Sequence, residues 1–152
     1  MTVARIFKIE NKLSKLARAP GGKSVEDHVK AAETRVESVR QRCMSSLVDK
    51  ANRLGAIAAG DRADGAKQTL DGLYDQSNAI FGVAGAFGLQ ALAEAACSLC
   101  DVVHRFRSGE TLNWSAVDVH VDGIRLLSMG SPEGADSILA GLRRVRARFA
   151  AD

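Results

Sequence analysis

Between Tyr74 and Val103 the apolar residues recur at helical spacing on both sides of one glycine, and that pattern leaves the chain few ways to fold. Ser77, Ile80, Ala84 and Phe87 lie on one stripe. Leu92, Ala96, Leu99, Val103 and Phe106 lie on a second. Gly88 stands between them. The spacing predicts two helices folded back on each other at a tight apolar turn. The first carries Gly82 and Gly85 in its interior, and each costs roughly 1 kcal/mol against Ala. A helix keeps such residues where something must approach its backbone closely.

The rest of the chain agrees with an all-α class. Its 152 residues include only two prolines, Pro20 and Pro132, and long runs of good helix formers. Extended β-branched and aromatic runs are lacking, so no sheet is expected. At 46% apolar and 26% charged, the chain suits one sizeable core. No apolar stretch reaches the roughly 20 residues of a membrane span. No signal peptide is evident, and three cysteines, an odd number, suit reduced thiols in a cytoplasm.

The net charge of +3 is too small to suggest nucleic-acid binding. The excess is local: Arg5, Lys8, Lys12, Lys15 and Arg18 stand against Glu10 alone. Ile6, Ile9, Leu13 and Leu16 form one stripe among them, and Pro20-Gly21-Gly22 breaks the helix. Residues 1–22 are thus an amphipathic basic arm, and 23–152 a single helical domain. Three roles stay open for the arm: a helix docked on the bundle, a partner-binding or homodimerising segment, or a membrane-surface anchor.

Ser24 and Asp27 form a near capping box. From there a long helix should run to about Ala59, with Val25, Val29, Ala32, Val36, Val39 and Cys43 inward, then Leu47, Ala51, Leu54 and Ala58. Asp61 or Asp64 should start the next helix, ending near Ala86. A third helix is expected over 89–107 and a fourth over 113–129, with Val117, His120, Val121, Ile124 and Leu127 inward. The last runs from about 133 to 150, with Ile138, Leu142, Val145 and Phe149 inward and Arg143, Arg144, Arg146 and Arg148 outward. Short glycine-containing connections favour antiparallel neighbours, so the expected fold is an up-down four-helix bundle over about 64–150 behind a long helix.

The run from Asn78 to Gly88 resembles the histidine-containing phosphotransfer (HPt) family. That family carries His, any residue, Ile or Leu, Lys or Arg, Gly, small residues, then Phe or Leu and Gly. Ile80, Gly82, Ala84, Phe87 and Gly88 match, and the likeness extends over about 64–151. Two positions depart: Asn78 stands where the phosphoacceptor His would be, and Phe81 where the basic residue would be. The resemblance implies a bacterial two-component or chemotaxis protein that binds the receiver domain of a response regulator.

It does not imply phosphotransfer. The amide nitrogen of Asn78 shares its lone pair with the carbonyl, so it is neither basic nor nucleophilic. Phe81 brings no charge for phosphate. His120 sits on an apolar stripe and reads as a hydrogen-bonded core residue. His104 falls about 10 Å from the docking centre, and His28 has no assigned role. Cys97 and Cys100 share a helix face three residues apart, but with no second pair nearby they read as small buried hydrophobes. No phosphate loop, nucleophilic triad or HExxH motif is present. Neither a metal nor a cofactor is expected, and the chain is expected not to be an enzyme.

What remains is a docking surface. Asn78 stands about 100° round the helix from Ser77, with Phe81 and Gly82 on the same outer face. The candidate partner-binding residues are Tyr74, Asn78, Phe81, Gly82 and Gly85, with Ala91, Glu94 and Ala95 from the partner helix. Phe81 is either a docking contact or tucked against Tyr74. The other reading is a helical scaffold or dimerisation protein with no receiver partner.

Overall fold

A computed structural model describes residues 24–130 and 134–148. Five helices follow in order: α1 (Val25–Ala58), α2 (Ala66–Ala86), α3 (Gln90–Arg107), α4 (Trp114–Ser128) and α5 (Ala135–Arg148). No strand occurs among the described residues. The chain divides into two compact units, residues 1–38 and 39–152, and the division falls inside α1. The basic arm and Phe149 lie outside the described residues.

The local signals act where the sequence puts them. Ser24 Oγ accepts the Asp27 N–H at 3.1 Å, while Asp27 Oδ2 accepts the Ser24 N–H at 3.2 Å, closing a reciprocal cap on α1. Asn113 caps α4 by accepting the Ala116 N–H. α2 ends in a Schellman turn: Gly88 has φ +72°, its N–H donates to Gly85 O, and Leu89 N–H donates to Ala84 O. Gly109 repeats the arrangement after α3, with φ +103°. Asp61 caps no helix; its carboxylate accepts the Ala63 and Gly65 N–H groups, and α2 begins after Gly65.

The first unit corrects one expectation. Val25, Val29, Ala32 and Val36 are exposed; Val25 is 75% and Val36 66% accessible. Val39, the first residue of the second unit, is exposed as well. A 3-4 spacing tells which residues share a face, not whether a second element covers it.

In the second unit the core gathers Leu47, Ala51 and Leu54 of α1 with Leu73 and Ile80 of α2, Leu99 and Val103 of α3, Val117 and Ile124 of α4, and Leu139 and Leu142 of α5. The second half of α1 is therefore part of the packed body rather than a helix that only precedes it. Its partners are specific. Ile57 Cγ2 would lie 3.3 Å from a Cβ on Gly72, and Gln76 donates to Lys50 O at 3.1 Å. On α5 it is Leu139 and Leu142 that are buried, with Ile138 and Val145 half-buried beside them.

Arg62 ties the end of α1 to α4. Its Nε and Nη2 donate to Ala58 O, at 2.9 and 2.6 Å. Nη1 and Nη2 also form a two-point pair with Asp118 at 3.0 and 2.6 Å. The guanidinium stacks 4.9 Å from the Trp114 ring centre.

Candidate docking face on the second helix

The fold-back register of α2 on α3 is fixed by three contacts. Ser77 Oγ donates to Ala96 O at 2.7 Å inside the core. Cys100 Sγ donates to Tyr74 O at 3.9 Å. Arg107 Nε lies 3.0 Å from Asp71 Oδ1, without hydrogen-bond alignment, and its guanidinium stacks 5.2 Å from the Tyr74 ring centre. As the α2 number falls the α3 number rises, so the helices are antiparallel. Ser77 and Ile80 point into this seam and are fully buried. One residue round the helix, Asn78 emerges on the outside.

Asn78, Gly82 and Gly85 are exposed, and Phe81 is 43% accessible. The two glycines differ from Gly72 and Gly123. A Cβ on Gly123 would meet Leu142 at 3.2 Å and Ile138 at 3.3 Å, so that glycine admits α5 against α4. A Cβ on Gly82 or Gly85 would meet nothing within 4 Å. Among the described residues no packing calls for either one. The floor of this face is bare backbone, flanked by one aromatic ring and one neutral amide.

Tyr74 is half-buried against the core and occupied with Arg107 and Cys100, and does not complete an open face. The expected residues of α3 lie elsewhere. Ala95 is fully buried and offers no surface. Glu94 turns to α5, where Arg143 Nε and Nη2 donate to its carboxylate at 2.5 and 2.7 Å and hold it below the usual carboxylate range. Ala91 lines an apolar hollow with Leu127 of α4. Proximity to the Gly88 turn does not bring these three onto the face. The rotation of α3 is set instead by its other contacts: Asp101 pairs with Arg146 and Ser98 with His120 on one side, Cys100 and Arg107 with α2 on the other.

Cys97 and His104 stand three and four residues from Cys100, so they share its side of α3. They are half-buried and exposed respectively. Of the two, Cys97 stands level with Ser77 and Asn78, at the near end of the candidate face, and His104 lies beyond it. The sequence held no signal for this, because the CxxC spacing reads equally well as core. His104 lies eight residues beyond Ala96, about 12 Å along the helix from the level of Ser77 and Asn78 at 1.5 Å per residue.

The buried polar groups are structural. His120 is fully buried. Its Nδ1 lies 2.7 Å from Ala116 O, which can only accept, so Nδ1 carries the proton and Nε2 accepts from Ser98 Oγ at 3.0 Å. Burial pushes the imidazole below its ordinary value, and nearby Arg146 adds to this. Burial likewise pushes the Cys100 thiol up, away from the reactive thiolate. Among the described residues no group of three His, Cys, Asp or Glu side chains could hold a metal ion, and no helix is long and apolar enough to cross a membrane.

Comparison with protein-family models, curated proteins and solved structures returns no match to this chain.

Proposed function

We propose that the chain is a non-catalytic module of HPt type that docks the receiver domain of a bacterial response regulator through α2 and takes no phosphoryl group from it. In this reading α2 to α5 form an up-down antiparallel four-helix bundle. The opposed order of the α2–α3 contacts supports this. So does the parallel order of Glu94–Arg143 and Asp101–Arg146 between α3 and α5, which up-down alternation requires.

One observation carries the docking reading. α2 holds two interior glycines on its exposed face, at roughly 1 kcal/mol each in helix propensity, where nothing among the described residues needs the space. A close-approaching partner backbone supplies the missing reason. Beside them Phe81 adds apolar area and no charge, so the contact is hydrophobic, weakly dependent on salt and indifferent to receiver phosphorylation.

The test is calorimetric titration of the full chain with the receiver domains of the same cell, with and without a phosphate mimic. At least one receiver should bind, with affinities equal in the two states. Phe81→Ala should weaken that complex about ten-fold, near 1.4 kcal/mol, and Gly82→Arg should abolish it. Failure of every receiver to bind would refute the reading. So would a Phe81→Ala variant that melts lower but binds unchanged, because Phe81 would then be packing within the chain.

A further inference from the structure

The exposed stripe on the first half of α1 lacks a cover among the described residues. Val25, Val29, Ala32 and Val36 repeat at intervals of four, three and four, the 3.5-residue period of a two-helix seam. Isolated apolar residues on a surface need no explanation, but four in register along one helix do.

The chain itself carries a matching stripe. Residues 1–23 lie outside the described residues, and they end where α1 begins. Ile6, Ile9, Leu13 and Leu16 repeat at three, four and three, the same alternation of threes and fours as the stripe on α1. Reversal at Pro20-Gly21-Gly22 superposes them: Leu16 opposite Val25, Leu13 opposite Val29, Ile9 opposite Ala32 and Ile6 opposite Val36. Each pair is about equally far from the turn, and Ala32, the smallest of the four residues on α1, meets the β-branched Ile9. A connection over residues 19–23 has the length of an αα-hairpin loop. Charge agrees as well. Arg5, Lys8, Lys12, Lys15 and Arg18 against Glu10 make the arm strongly basic, while Glu26, Asp27, Glu33 and Glu37 outnumber Lys30 and Arg35 on the stretch from 24 to 38.

We infer that residues 1–18 fold back as an antiparallel helix on the Val25–Val36 face of α1, in the register that sets Leu13 against Val29. The arm is then the second half of a helical hairpin.

Disulfide trapping in the full chain tests this. In a background of Cys43→Ser, Cys97→Ala and Cys100→Ala, Leu13→Cys is combined with Val29→Cys, and separately Ile6→Cys with Val29→Cys. A disulfide needs its Cβ atoms within about 4.5 Å, and the second pair is offset by seven residues, about 10 Å. The matched pair should give a monomeric cross-link, independent of protein concentration, in at least ten-fold excess over the mismatched pair. A cross-linked dimer that grows with concentration would give the face to a second copy and overturn the inference. Equal yields in the two pairs would also overturn it. If the chain then pelleted with phosphatidylserine vesicles, the arm would belong to a lipid surface. A second measurement needs no cysteine changes. Val29→Asp should speed tryptic cleavage after Lys12 and Lys15 at least ten-fold, and an unchanged rate would sink the proposal. Neither readout involves the receiver, so its outcome is separate from that of the docking face.

Discussion

Replacing Gly82 and Gly85 together by Ala should make the protein more stable and the docking weaker. Neither glycine has positive φ, so the backbone accepts Ala without strain. Neither new Cβ would meet an atom within 4 Å, so no side chain must shift. Each change then returns the helix propensity difference, roughly 1 kcal/mol, or about 2 kcal/mol for the pair. For a chain of this size 1 kcal/mol corresponds to roughly 2–4 °C in Tm, so the double variant should melt about 4–8 °C higher. Gly72→Ala and Gly123→Ala are the controls. Their Cβ atoms would fall 3.3 Å from Ile57 and 3.2 Å from Leu142, so packing should cancel or exceed the same propensity gain. Calorimetric melts of the three variants separate the classes. In receiver titrations the double Ala variant should bind more weakly, because two methyl groups now cover the bare backbone. A double variant less stable than the parent would show that something within the chain occupies this face, and would remove the reason for a partner there.

Three further outcomes follow from the same geometry. Because folded His120 sits below its ordinary value of 6.5, the unfolded chain binds more protons in acid; stability is whole above about pH 6.5 and drains away as pH falls toward 5. His120→Gln should flatten that slope in urea melts between these limits, and an unchanged slope would put the titrating group elsewhere. Arg62→Ala should cost roughly 1–2 kcal/mol, since the partly exposed guanidinium hydrogen-bonds two groups at once. Arg62→Lys should recover little of it, because a point charge cannot span Ala58 O and both Asp118 oxygens; full recovery in thermal melts would refute the two-point account. Finally, incubation with a phosphorylated receiver should leave no acid-labile label on the chain, and label lost in a His104 variant would contradict the non-catalytic reading.

The sequence by itself determined what depends on neighbours along the chain. The capping box at Ser24 and Asp27, the positive-φ turns at Gly88 and Gly109, and the outward place of Asn78 one residue past Ser77 all follow from backbone hydrogen bonding and a 3.6-residue period. Burial followed the same period for Ile80, Leu99, Ile124 and Leu142. Only the tertiary structure decided what depends on which helix lies alongside. Among the described residues it left Val25 to Val36 uncovered although their spacing equals that of Leu47 to Ala58. It turned Cys100 and Arg107 toward α2, and so sent Glu94 to Arg143 and Ala95 into the core. It joined Arg62 to Asp118 across 56 residues. It also separated two kinds of glycine, those at 72 and 123 that admit a neighbouring helix and those at 82 and 85 that face open space. A period names the face of a helix; the rotation and covering of that face are set by packing between elements distant in sequence, where many weak contacts must be satisfied at once.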